Sequence, residues 1–503
     1  AVEDELETSA DRNPPTDEIT EVVTAQALGR VNFGNRKVQL LVAVLIVVTA
    51  VSLGFALTRG GGDSGGGDKS TGSQDMSLPA TSSSSPTTIV PTLGPTPGSI
   101  QIPTSPPLNT NTLEPTPGLT PSPTGVSTQT PVGPAVWVPV GGDVTGEFYS
   151  GTAVSLSGDG TLVATGNIPP LTIAGKVKVY QLVDNIAWTS ATTLEALDTG
   201  DWCCRAVSMS TDGTTIAFGS PRSDMPGRVF SGRVDVYRFD GSDWKQFGPA
   251  IKGKSATGIS WEGGGERFGS SVSLSGIGNV IAVGAPYFQG EDDCIGQVRV
   301  YEMQSGDWKQ VGQNLTEDGE YEYGEFGSSV SIASDGLTLA AGAPEYDSPF
   351  DHAGQVQVFT LQSNAWVRIG DALPGEGGLD RSGWSIALSG DASTVAIGAP
   401  GNDVNEETFE GAGHVRVYRN FNSNWSQIGG DIDGFLKEGE LGKSVAISYD
   451  GSIVAIGAPG AGKGYAQVYK LNKSGKWEQV GDNLVGEYNG EMFGTSIALS
   501  KNG

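Results

Sequence analysis

Residues 326–344 read FGSSVSIASDGLTLAAGAP, and residues 354–366 read GQVQVFTLQSNAW. Each apolar run is four to eight residues long and bounded by Gly, Asn, Asp or Ser, as strands are. In VSIA and VQVF alternate residues share a face. Ser334-Asp335-Gly336, between the first two runs, is a hairpin signal, because Gly accepts positive φ and Asp bonds its local backbone. The same grammar recurs with Trp137, Trp188, Trp244, Trp308, Trp366, Trp425 and Trp477 as markers, spaced 51, 56, 64, 58, 59 and 52 residues apart. Four short strands at that spacing make one propeller blade. The expected fold is all-β, a seven-bladed β-propeller with its last blade incomplete.

Trp-led and FG-type strands each occur seven times, GAP-type and VxVY-type strands six. The chain stops in the turn Ser500-Lys501-Asn502-Gly503 and has no initiating Met, which reads as a fragment at both ends. With Trp137 supplying an outer strand, about 30 further residues would close the last blade. As it stands, an unpaired strand edge is expected there.

Phe268-Gly269 with Gly284-Ala285-Pro286, and Phe326-Gly327 with Gly342-Ala343-Pro344, resemble the FG-GAP repeats of the integrin α-subunit propeller. The resemblance covers residues 137–503. Other copies keep part of the motif: Ser382-Gly383, Leu441-Gly442, Gly219-Ser220-Pro221, and Gly166-Asn167-Ile168 where GAP belongs. It implies that the FGxSV strand is innermost and the Trp strand outermost. The calcium loop of such repeats, DxDxDG, has no match here, so no cofactor is identified and a divalent cation has no motif behind it.

Composition divides the rest. Residues 1–37 carry eight acidic and four basic side chains and no sustained apolar period, as a disordered cytosolic tail would. Residues 38–57, VQLLVAVLIVVTAVSLGFAL, are twenty residues without a charge, enough as a helix of about 30 Å to span a bilayer. A cleaved signal peptide would have a shorter apolar region and a basic leader. Arg30, Arg36 and Lys37 precede the span and only Arg59 closely follows, which orients a single-pass type II protein with its C-terminal part extracellular or lumenal. Residues 58–136 are a Pro/Ser/Thr/Gly-rich stalk. The repeat region holds 45 acidic and 24 basic residues of a chain with net charge −27, a field unsuited to nucleic acid. Cys203, Cys204 and Cys294 match no zinc spacing and read as buried residues or a single bridge.

The Asp-Gly turns and the short loops before each Trp fall on one rim, and the long, dissimilar connections fall on the other. That second rim is acidic, with Glu291, Asp292, Asp293, Asp347, Asp351 and Asp403 as its candidate cation or basic-ligand groups. Solvated charges that keep the chain soluble are the competing reading. Asn314, Asn424 and Asn472 head glycosylation sequons. His352 and His414 are the only histidines, and neither GxSxG nor HExxH occurs, so no catalytic residue is assigned. The expected function is adhesion, recognition or scaffolding by a membrane-anchored propeller with a protein or glycan ligand on the variable rim. The alternatives are a membrane-anchored hydrolase of extracellular glycans, which needs carboxylates converging near the channel, and a structural cell-wall or matrix protein.

Overall fold

The computed structural model describes residues 21–23, 25–27, 44–48, 136–146, 150–167, 174–199, 203–223, 230–254, 265–289, 296–317, 324–404 and 410–503. All of them belong to the compact unit formed by Ala1–Leu53 and Gly133–Gly503. The other unit, Gly54–Val132, holds most of the expected stalk and lies outside the described residues.

Six antiparallel four-stranded sheets follow one another, each hydrogen-bonded in chain order from inner to outer strand. Blade 4, for example, comprises Ser329–Ile332, Thr338–Ala343, Gln355–Gln362 and Ala365–Arg368. The inner strands of blades 1 to 6 are Ser150–Leu156, Ala206–Met209, Ser271–Leu274, Ser329–Ile332, Ser385–Leu388 and Ser444–Ile447. In blades 2, 4, 5 and 6 a two-residue strand after the outer one, such as Ile432–Asp433, pairs with the start of the third. Second strands are buried along their whole length in blades 2 to 6, so both faces carry Ala, Gly or larger apolar residues.

Gly at the end of the second strand answers to a close approach. A Cβ on Gly342 would sit 2.3 Å from the carbonyl oxygen of Gly383 in the next blade, and one on Gly284 would sit 1.9 Å from that of Gly327. The same carbonyls accept hydrogen bonds from the first serine of the preceding inner strand, Ser329 Oγ to Gly383 O at 2.6 Å and Ser271 Oγ to Gly327 O at 2.7 Å. Blades therefore meet backbone to backbone, with the polar oxygen satisfied.

At the opposite rim the hairpins between the first two strands form a closed hydrogen-bonded ring. Backbone bonds of 2.8–3.1 Å run from Gly158 to Thr211, Asp212 to Gly276, Gly276 to Ser334, Ser334 to Gly390, Asp391 to Tyr449, Tyr449 to Lys501 and Lys501 back to Gly158. In the turns of blades 1, 2, 4, 5 and 6 an Asp works locally, whereas in blade 3 Ser275 bonds Asn279. Asp159 Oδ1 accepts from Ser157 Oγ at 2.6 Å and from Thr161 N–H at 3.0 Å. Asp450 does the same with Ser448 and Ser452. Burial opposes ionisation of Asp159 and Asp450, but these hydrogen bonds outweigh it and hold both pKa values below the ordinary value.

The blade count departs from expectation, six rather than seven. With only six GAP-type and VxVY-type strands in the chain, the seventh FG copy contributes the inner strand Ser496–Leu499 alone. That strand packs between the inner strands of blades 6 and 1, and Ser496 Oγ accepts from Val154 N–H at 3.0 Å. Its sheet partners are Val44–Val48, in the register Leu45 opposite Leu499, and then Ala25–Ala27. Val44–Val48 falls inside the expected membrane helix. Its β-branched run suits a strand as well as an apolar helix, and Ser496–Leu499 offers an open edge. The remainder of 38–57 lies outside the described residues, and among the described residues no helix is long and apolar enough to cross a membrane.

Trp137 takes the place expected of an outer-strand marker. Trp308, Trp366 and Trp477 each donate the indole N–H to a carbonyl of the previous blade, Phe247, Val311 and Ile428, at 3.0, 3.0 and 2.9 Å. Trp188 of blade 1 donates to Val140 at 3.2 Å, three residues after Trp137, and Trp137 donates to Asp482 O at 3.0 Å.

Gly342→Ala should lower the urea midpoint, costing about 1–3 kcal/mol, because blades 4 and 5 must part. Gly430→Ala, where nothing lies within 4 Å of the added carbon, should leave the midpoint unchanged. For the turn carboxylates the depressed folded pKa means full stabilisation above the unfolded value of about 3.9 and loss as the pH falls through the folded value. Urea midpoints measured from pH 6 to pH 3 should therefore fall, and less steeply in Asp159→Asn with Asp450→Asn.

Candidate ligand-binding site

The FG pair occupies the two central positions of a tight turn at the rim opposite the hairpin ring. Backbone bonds span it from Ser270 to Arg267, Ser328 to Glu325, Trp384 to Arg381, Lys443 to Glu440 and Thr495 to Met492, at 3.0–3.1 Å. Gly269, Gly327, Gly383, Gly442 and Gly494 have φ between 89° and 93°, as the third residue of a type II turn requires. The first residue of each turn is also left-handed, with φ of 50° to 57° at Arg267, Glu325, Arg381, Glu440 and Met492. Side chains at the first and last positions thus flank the entry to each inner strand, where the sequence varies from blade to blade.

Blade 2 builds this corner differently. Cys203 and Cys204, both buried, are joined by a disulfide between adjacent residues. Cys204 has φ 71° and donates its N–H to Gly219 O at 2.8 Å, as Gly269 donates to Gly284 O at 2.9 Å. Cys203-Cys204 therefore stands in the FG position, and Arg205 is the residue that follows.

Several of these side chains converge. The Lys443 ammonium lies 4.1 Å from the centre of the Trp384 ring and 3.3 Å from Glu440 Oε1, and the Arg381 guanidinium lies 5.9 Å from the same ring. Burial lowers the pKa of Lys443; Glu440 opposes this, and the positive charges of Arg381 and Arg205 add to it. Arg205 belongs to blade 2 and Lys443 to blade 6, so their fields meet across the ring. Arg381 Nε stands 3.2 Å from Glu345 Oε1, and the Arg267 guanidinium 4.1 Å from the Tyr287 ring centre. Burial raises the pKa of Glu325, helped by the nearby Glu345 charge and opposed by hydrogen bonds from Tyr287 and Ser328 and by Arg267. The channel mouth thus offers an indole platform, four cations, Arg205, Arg267, Arg381 and Lys443, and three carboxyls, Glu325, Glu345 and Glu440.

The acidic groups expected from sequence do not gather there as one set. Asp347 and Asp351 meet His352, with possible ligand atoms within 4.8 Å of one another, and His352 Nδ1 lies 2.9 Å from Glu345. Asp403 instead accepts from Gly411 N–H at 2.6 Å within its own loop. Glu291, Asp292 and Asp293 lie outside the described residues. Of the sequon residues, Asn424 is exposed and Asn314 half-buried. The Asn472 side chain is tied into its turn, accepting from Ser474 and Lys476 N–H groups and donating to Glu478. Sequence reasoning did not single out Arg205, Trp384 or Lys443. The signal was their place one residue beyond the FG position, visible once the copies are aligned on that pair.

No protein-family model matches the chain, and no curated protein matches it. Solved structures with similar folds include Kuenenia stuttgartiensis hydrazine synthase, at 13% identity over 70% of this chain and 90% of that one with a TM-score of 0.45. The periplasmic gluconolactonase PpgL of Pseudomonas aeruginosa is similar at 16% identity over 65% and 82% with a TM-score of 0.43, and Chaetomium thermophilum Sqt1 at 16% over 67% and 73% with 0.40. These are likenesses of fold alone.

Cys204→Ala and Cys204→Gly both break the disulfide, but only Ala keeps a side chain in the left-handed region. Cys204→Ala should be less stable by about 1 kcal/mol, read as a difference in urea midpoint between the two variants.

Proposed function

We propose that this chain is a membrane-anchored recognition protein whose propeller binds its ligand at the FG-rim channel mouth, on the extracellular or lumenal side. The observation that carries the reading is the contrast between the rims. One is closed by backbone hydrogen bonds and repeated Asp turns; the other presents different side chains at equivalent positions, among which the charges of Arg205 and Arg381 reach Lys443. A half-buried indole beside cations suits a sugar face carrying carboxylate or sulfate, so an acidic glycan or glycoprotein is the favoured ligand. The apolar stretch 38–57 and its flanking charges support the anchor and orientation, which require Val44–Val48 to leave the edge of Ser496–Leu499 and join a membrane helix.

The test is an array of acidic and neutral glycans probed with the full chain in nanodiscs. Trp384→Ala with Lys443→Ala should cut binding at least tenfold, whereas Asp391→Asn on the hairpin rim should leave it unchanged. Equal binding by all three proteins would overturn the assignment of the site.

One observation favours a glycan hydrolase as the second reading: burial, helped by the neighbouring Glu345 charge, biases Glu325 towards its protonated form. That reading expects glycan cleavage by the wild-type chain and its loss in Glu325→Gln.

A further inference from the structure

We propose that Glu376, His414 and Asp431 form a site for a divalent transition metal of the zinc class at the edge of blade 5, independent of the channel mouth. His414 opens the third strand of blade 5, Glu376 lies in the connection from blade 4, and Asp431 directly precedes the short strand Ile432–Asp433 that pairs with His414 and Val415. One potential ligand atom from each lies within 4.8 Å of the other two. Both carboxylates are exposed, whereas His414 is only 2% exposed.

The histidine is what separates this group from ordinary surface acid. Its Nε2 is buried and has no hydrogen-bond partner among the described residues, a costly state for a polar atom unless something else occupies it. Equivalent residues of blades 2, 3 and 4 are satisfied: Arg233 bonds Asp235, Gln297 accepts from Arg299, and Gln355 donates to Glu317. Tyr465 of blade 6 shares the unpartnered state but has no carboxylate pair beside it among the described residues. The second cluster, around His352, also holds a ring nitrogen without a hydrogen bond, Nδ1, but that nitrogen lies 2.9 Å from Glu345 Oε2 and its side chain is 39% exposed, so His352 is not a buried, unmatched group as His414 is.

The donor set selects the ion. An imidazole nitrogen with two carboxylate oxygens matches zinc and its neighbours, whereas calcium and magnesium take oxygen alone. Bonds of about 2.0–2.1 Å require ligand atoms roughly 3.3 Å apart in a tetrahedron, so the two exposed carboxylates would swing inward by about 1 Å. Glu376 can do so while its Oε1 stays 3.0 Å from Arg416 Nη1, because Oε2 remains to bind. Three protein ligands leave a fourth position open. Asp431 also lines a cavity of about 380 Å³ with Asp433, Tyr469, Lys476 and Trp477, between blades 5 and 6. A water or an acidic ligand group could complete the shell from that side.

The experiment is calorimetry of the full chain in detergent micelles with Zn²⁺, and separately Ca²⁺, after chelator treatment, with Co²⁺ absorption as a reporter of nitrogen ligation. Wild type should bind one Zn²⁺ at this site in preference to Ca²⁺. His414→Gln and Asp431→Asn should each weaken Zn²⁺ binding at least tenfold, and His352→Gln should leave it unchanged. Asp431 is exposed, so its variant reports on the site even if His414→Gln folds poorly. No Zn²⁺ binding by wild type, undiminished binding by Asp431→Asn, or loss of binding in His352→Gln would each overturn the proposal.

Discussion

The ring depends on one backbone contact, the carbonyl of the FG glycine resting on the last glycine of the previous blade's second strand. Packed sheets usually stand about 10 Å apart, yet added Cβ atoms at Gly219, Gly284, Gly342, Gly398 and Gly457 would all lie within 2.3 Å of a carbonyl oxygen in the next blade. Only glycine permits that approach, and the left-handed turn before the inner strand presents the oxygen. The two short motifs therefore form halves of one interface rather than two signatures of one blade. The contact outlasts the motif: a Cβ added to Gly166 would lie 2.0 Å from the Cys204 carbonyl oxygen, where neither FG nor GAP is spelled.

Pinning the turn by its backbone leaves its flanking side chains free to vary. In three of these turns an acid two residues before the FG position supports the backbone, while Gly324 and Gly439 stand there in the other two. Asp380 accepts from Glu376 and Gly377 N–H groups at 2.8 Å, Glu491 from Tyr488 N–H at 3.0 Å, and Glu266 from the Lys254 N–H. Glu266 also holds Arg299, wholly buried beneath Phe268, whose ring centre is 4.8 Å from the guanidinium. A rigid acidic underside beneath a variable upper layer is the division of labour expected where a scaffold holds a recognition surface.

The strand grammar was legible because each run states its period and ends on a turn residue, and the Asp turns appear where Asp-Gly predicted them. The number of complete blades was legible in the count of strand types, six against seven, although the spacing of tryptophans pointed to seven. The site was less legible. Acidic loops drew attention because their composition is visible locally, while Arg205, Trp384 and Lys443 sit in three different blades and become neighbours only when the ring brings their strands to one axis. Nothing in the sequence marks His414; its buried, unpartnered nitrogen depends on what Ile432–Asp433 and the Glu376 loop place beside it, which no spacing records.

Closure of the ring rests on segments from the two ends of the repeat region. Ser496 meets Val154 across 342 residues, and Trp137 meets Asp482 across 345. Every other blade interface joins strands about one repeat apart, so loop-closure entropy disfavours the closing interface relative to the rest. The blades can accumulate in order through local contacts, each preparing the glycine seat for the next, before the last inner strand and Trp137 lock against blades 1 and 6. The hairpin ring then gains its final bonds at Lys501, to Gly158 and from Tyr449. Side chains whose charges act on each other across the ring, Arg205 of blade 2 and Lys443 of blade 6, are brought together by that step. Formation of the candidate site is thereby tied to completion of the ring rather than to the folding of any single blade.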